Sequence, residues 1–109
     1  MDLKYLNDSF AVTGQISVAD VAQLAEQGFT TVVCNRPDGE EPGQPASASI
    51  AEACQQSGLV FHFIPMNGPN YSPTDVANLK QAVSASAGKV LGFCRTGNRS
   101  SILWNAAQA

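Results

Sequence analysis

Apolar positions along this chain switch three times from helical spacing to an unbroken run. Val18, Val21, Ala22, Leu24 and Ala25 recur on one helical face. Ser17 precedes them with Asp20 three residues on, a capping-box pattern that predicts a helix start. The run Phe29–Cys34 then reads as a strand. A second helix is predicted over residues 46–57, followed by a strand from Leu59 to Ile64. A third opens at Ser72-Pro73-Thr74-Asp75, with a capping serine, proline at the first helical position and an acid in the first turn. Its apolar face is Val76, Leu79, Ala82 and Val83, and its strand is Lys89–Phe93. Gly28, Gly58 and Gly88 each stand between helix and strand, where glycine favours helix termination. A last helical pattern begins at Ser100, with Ile102, Leu103, Trp104 and Ala107 as its buried face. Tyr5-Leu6 and Phe10-Ala11-Val12 read as a short extended piece on the sheet edge, and residues 37–45 (PDGEEPGQP) as a polar loop.

Helices alternating with strands imply the α/β class: a central, mainly parallel sheet of about four strands flanked by helices. Right-handed crossovers bring the strand C-termini to one edge, where α/β sheets bind ligands. That edge collects Cys34-Asn35-Arg36, Pro65-Met66-Asn67 and the segment after Phe93. The 109 residues suit a single domain over 1–109. A net charge of −3 with no basic run argues against nucleic acid, and no apolar run is long enough for a membrane span. One histidine and three scattered cysteines favour neither a metal site nor a disulfide framework, so no metal or cofactor is expected. The absence of a leader pattern and the free thiols point to a reducing cytoplasm.

The segment Phe93-Cys94-Arg95-Thr96-Gly97-Asn98-Arg99-Ser100 carries the chemistry. A thiol ends a strand, a glycine-containing loop follows, and a helix starts. Helix N-termini present unpaired N–H groups and a positive dipole end, which bind anions and lower the pKa of a nearby cysteine. Arg95 and Arg99 add charge-assisted donors. Cys94 is therefore the candidate nucleophile, and residues 95–99 the candidate cradle for a small anionic substrate. Arg36, on the neighbouring strand end, either binds an anion or pairs with Asp38, Glu40 or Glu41. Cys34 is either a core residue or a resolving thiol for Cys94, with core packing favoured. Cys54 reads as buried and inert, and His62, in mid-strand, as structural. Tyr71 either flanks the site or packs its loop, and residues 38–41 read as a solvated acidic loop, with a screen against highly charged substrates as the alternative.

The whole chain resembles the DUF442 family, the phosphatase-like domain of beta-lactamase hydrolase-like proteins. The landmarks are Thr13-Gly14-Gln15, Asn35-Arg36-Pro37-Asp38-Gly39-Glu40, Ile64-Pro65 and Cys94 to Ser100. The resemblance implies the fold of the dual-specificity tyrosine phosphatases. It also implies a link to sulfur transfer, because the domain occurs fused to persulfide dioxygenase or sulfide-oxidising partners. Tyrosine phosphatases carry His-Cys-x5-Arg-Ser/Thr, whereas this chain reads Phe93-Cys94-x4-Arg99-Ser100, one residue shorter and similar to the rhodanese loop. Asn67 stands where phosphatases place an acid, whose help is worth roughly 10²–10⁴-fold; Asp38 is an alternative donor and Asp75 fits a helix cap better. Sulfur transfer needs no such acid. The loop therefore favours a rhodanese-like sulfurtransferase. Cys94 would take sulfur from thiosulfate or a persulfide and pass it to a thiol such as glutathione, held by the amides of residues 95–99. Arg99 would orient the donor, Arg95 would guide it at the rim, and the Ser100 hydroxyl would hydrogen-bond the thiolate. The alternatives are a phosphatase acting through a phosphocysteine and a non-catalytic anion-binding domain docked on an oxidoreductase.

Overall fold

The computed structural model describes residues 1–109, with elements in the order β1 (Lys4–Asn7), β2 (Phe10–Thr13), α1 (Val18–Glu26), β3 (Phe29–Cys34), α2 (Ser47–Gln56), β4 (Val60–Phe63), α3 (Pro73–Ala85), β5 (Lys89–Phe93) and α4 (Asn98–Gln108). The sheet has five strands in the order β1-β2-β5-β3-β4, one more than the apolar pattern suggests. The N-terminal piece is a hairpin rather than one edge segment. Its β1 strand pairs antiparallel with β2, while β2 lies inside the sheet, parallel to β5. The other pairings, β5 with β3 and β3 with β4, are parallel.

Capping fixes two of the helix starts as the sequence predicts. Ser17 and Asp20 close a capping box on α1, and Ser72 and Asp75 close one on α3. The α2 start has no side-chain cap from Ala46; Asp38 supplies it from a distance, its carboxylate accepting from the Ser47 N–H and hydroxyl, both at 2.7 Å. Gly28 and Gly58 end α1 and α2 at positive φ (92° and 79°). Gly88 has another reason: a Cβ there would lie 2.9 Å from Thr30 Cγ2.

Two apolar layers sandwich the sheet. One joins Val21, Leu24, Val32, Ile50, Cys54, Leu91 and Phe93 under α1 and α2. The other joins Phe10, Val12, Val33, Leu79, Ala82, Leu103 and Trp104 under α3 and α4. Trp104 stacks on Phe10 at 4.3 Å between ring centroids, as a core residue. Alternation along β3 sends Val32 and Cys34 into one layer and Val33 into the other, which anchors the strand end from both faces. No helix is long and apolar enough to cross a membrane.

Candidate active site

The C-terminal ends of β3, β4 and β5 meet as the alternating pattern implies, and Asn35 ties them together. Its N–H donates to Phe93 O (2.8 Å), its Nδ2 to Ile64 O (2.8 Å), and its carbonyl accepts from the Met66 N–H (3.0 Å). Its Oδ1 accepts from the Ser100 hydroxyl at 2.8 Å. Both side chains are buried, so this link fixes α4 against the strand ends. The Ser100 hydroxyl is thus committed to Asn35 and not to the thiolate, contrary to expectation. Toward the sulfur the serine offers only its backbone N–H, which favours the thiolate.

Cys94 leaves β5 buried, and the chain turns sharply at Gly97, whose φ of 97° lies in the left-handed region. Helix α4 begins at Asn98, two residues earlier than its apolar face suggests, because its first turn is part of the loop. The Gly97 N–H donates to Cys94 Sγ at 3.0 Å. Burial alone would push the thiol up, but backbone N–H groups of Ser100, Thr96, Gly97 and Arg99 outweigh it and hold the thiol below its usual value. The amides of residues 96, 97, 99 and 100 thus all favour the thiolate, with that of Gly97 at hydrogen-bond distance. Cys54 has no such donor and Cys34 only the Arg36 backbone, so burial wins and pushes both up to about 11. Cys34 is a core residue whose thiol donates to Arg36 O at 3.4 Å.

The loop is supported from below by the segment after β2. A Cβ on Gly14 would stand 2.9 Å from Arg95 O, and the Gln15 N–H donates to that oxygen at 3.2 Å. This gives the Thr13-Gly14-Gln15 landmark a physical role: it is the floor of the Cys94 loop.

The β3–α2 loop is not a solvated acidic run. Glu40 accepts from Arg99 Nη1 and Nη2, both at 2.8 Å, and from Arg36 Nε at 2.9 Å. These partners, Arg99 foremost, lower its carboxyl from 4.5 to about 2. Glu41 accepts from Arg36 Nη2 at 2.6 Å and meets Arg95 Nε at 3.3 Å. Arg36 itself is only 2% exposed and also donates to Gln15 Oε1 at 3.1 Å. It braces carboxylates instead of presenting a free guanidinium to a ligand. Arg95 lies at the rim as expected, with 65% of its side chain exposed. Thr96 Oγ1 accepts from the Asn98 N–H at 3.3 Å, so both side chains stay at the exposed lip of the loop.

Arg36, Glu40, Glu41, Gly68, Arg95 and Arg99 line a cavity of about 460 Å³ with no apolar side chain. Asn67 is absent from this lining and instead borders the adjacent cleft with Tyr71 and Asp75. Asp38 is spent on Ser47 and Asp75 on Ser72, so neither is a free proton donor. The sequence offered Glu40 and Glu41 as partners of Arg36, and contacts at hydrogen-bond distance bear that pairing out; the link from Glu40 to Arg99 was missed, because acids in a Pro- and Gly-rich loop read as solvent-facing. Their offset of four and five residues from Arg36 was the only available signal.

Known proteins resemble this chain in sequence and fold. The family model for the phosphatase-like domain of beta-lactamase hydrolase-like proteins matches residues 2–109. The beta-lactamase hydrolase-like protein of Agrobacterium fabrum is 34% identical over 104 residues, which is 95% of this chain and 24% of the relative. The chain thus spans about a quarter of the length of that curated relative. A solved Neisseria meningitidis protein, provisionally assigned as a phosphatase, is 36% identical with a TM-score of 0.85, over 97% of this chain and 75% of that one. The Pseudomonas aeruginosa protein TpbA, solved in complex with phosphotyrosine, shares the fold: TM-score 0.66 at 17% identity, over 93% of this chain and 58% of that one. These likenesses lend no support to the expected sulfurtransferase and fit a cysteine-based, phosphatase-like enzyme. With its matching residues extending from 2 to 109, the chain belongs to the family of beta-lactamase hydrolase-like, phosphatase-like domains.

Proposed function

We propose that this site hydrolyses phosphate monoesters through a phosphocysteine on Cys94. The observation that carries the reading is the buried Cys94 sulfur, which accepts from the Gly97 N–H at 3.0 Å and whose thiolate the other loop amides and the Arg99 charge also favour. The thiolate attacks phosphorus; an S–P bond forms, the P–O bond to the leaving group breaks, and its electron pair departs with that oxygen. The non-bridging oxygens rest on the loop amides and Arg99, which stabilise charge without reorganising. Water then attacks phosphorus, loses its proton to solvent, and releases inorganic phosphate and the thiolate.

Both carboxylates lining the cavity are ion-paired, and Glu40, at about 2, is ionised at neutral pH. Neither donates a proton to a departing alkoxide. The fitting substrates are therefore esters whose leaving group is stable as an anion, such as activated aryl or acyl phosphates. The test is hydrolysis of p-nitrophenyl phosphate: turnover inhibited by vanadate and abolished in Cys94→Ser is expected, and turnover unaffected by that substitution would refute the reading.

The shorter loop and the lack of a free acid favour a second reading, sulfur transfer. There the Cys94 thiolate attacks the outer sulfur of thiosulfate, sulfite leaves, and a thiol such as glutathione accepts the sulfur from the Cys94 persulfide. Thiosulfate-dependent persulfide on Cys94 without phosphatase turnover would establish it.

A further inference from the structure

The Arg99 guanidinium has five N–H donors in a planar fork. Three are spent. Nη1 donates to Glu40 Oε2 at 2.8 Å and to Met66 O at 2.9 Å, and Nη2 donates to Glu40 Oε1 at 2.8 Å. The two that remain are the Nε–H and the second Nη2–H. They lie side by side on one edge of the plane, spaced to meet two oxygens of a single tetrahedral anion. Glu40 thus grips the end of the fork and leaves its side open. The Arg99 charge and the Cys94 thiolate also attract each other, so the guanidinium lies close to the nucleophile.

Glu40 is itself held. Its Oε1 accepts from Arg36 Nε at 2.9 Å, and its N–H donates to Gln44 Oε1 at 3.0 Å. Arg36 is buried, with its remaining ends on Gln15 and Glu41. The chain of contacts runs from the buried core edge through Arg36 and Glu40 to the tip of Arg99. A long side chain left free at a cavity mouth would lose rotamer entropy on binding an anion; one already clamped does not.

We propose that Glu40, braced by Arg36, is a positioning residue that sets Arg99 with its Nε/Nη2 edge toward the phosphoryl group being transferred at Cys94. The proposal rests on the hydrolytic reading for its substrate. It opposes the view of Glu40 as a plug in the anion seat: Glu40 leaves the Nε–H and one Nη2–H of Arg99 open.

The two views predict opposite signs for Glu40→Gln, which keeps the shape and removes the charge. The experiment measures calorimetric binding of inorganic phosphate and vanadate to the native protein and the variant, kcat and KM for p-nitrophenyl phosphate, and a thermal melt. A positioning role predicts a folded variant whose vanadate affinity and kcat fall roughly ten- to hundredfold, the size of a lost charged hydrogen-bond pair, while KM changes less. Arg36→Lys, which cannot span Glu40, Gln15 and Glu41 together, shifts vanadate affinity in the same direction and serves if Glu40→Gln does not fold. Unchanged or tighter anion binding with undiminished kcat overturns the proposal and leaves the phosphatase reading intact. Weakened anion binding in the variant, in a native protein that hydrolyses no ester, upholds the positioning of Arg99 and removes the phosphatase reading. No anion binding by the native protein removes both.

Discussion

One thiol of three is set apart by where its neighbours point their N–H groups. Cys94 is as buried as Cys34 and Cys54, yet only Cys94 faces converging amides, so its pKa falls below the usual thiol value while theirs rise to about 11. A depressed pKa means that more thiolate is present at neutral pH than for an ordinary cysteine. Alkylation by iodoacetamide is therefore expected at Cys94 first, with a rate that rises through a midpoint below the ordinary value of 9.0. Ser100→Ala separates the serine's two groups. The amide that holds the thiolate remains, but the buried Asn35 Oδ1 loses its hydroxyl partner. A stability loss of about 1–3 kcal/mol is expected in denaturant unfolding, with the alkylation midpoint little moved. A large upward shift of that midpoint would show that the hydroxyl serves the sulfur after all. The sequence offers no reason to take this hydroxyl away from the thiol. Its hydroxyl's partner lies 65 residues away on another strand end, a pairing that spacing along the chain does not reveal.

At the scale of elements, the site is a loop pressed between two others. The segment after β2 lies beneath the Cys94 loop, and the β3–α2 loop closes over it through Glu40 and Glu41. Gly14→Ala would put a methyl 2.9 Å from Arg95 O and move the cradle backbone. Overpacking of this kind costs about 1–3 kcal/mol, and a displaced cradle costs on the order of 10²-fold in turnover. A kcat/KM for Gly14→Ala close to the native value would show that the floor does not set the cradle. The order α1 to α4, the capping boxes and the parallel core strands were legible because each is written in local spacing. The β1–β2 hairpin was not. Its two pieces are short, and only long-range pairing with β5 decides that β2 is interior. The acidic loop was half legible: Arg36 was offered Glu40 and Glu41 as partners, but the reach of Glu40 to Arg99 on α4, 59 residues away, was not.

For the molecule as a whole, charge is arranged so that the cavity is nearly balanced. Three arginines meet two carboxylates there, which leaves one positive charge beside Cys94. Such a site holds one small anion and has no carboxylic proton to give. The dependence on leaving group should accordingly be steep. Across a series of aryl phosphates, kcat/KM is expected to fall by roughly 10²-fold or more from p-nitrophenyl to phenyl phosphate, the range a general acid would otherwise supply. A flat series would mean that a proton donor enters the site. The fold is that of tyrosine phosphatases, and the loop is one residue short of their signature; chemistry follows the site more than the fold. The central claim is that Cys94 carries the transferred phosphoryl group. It is tested most directly by acid-quenching the protein during turnover of p-nitrophenyl phosphate, with a parallel sample in thiosulfate, and mapping the added mass by peptide mass spectrometry. The account predicts a phosphoryl group on the Cys94 peptide. A Cys94 peptide that gains sulfur from thiosulfate but never a phosphoryl group would contradict it.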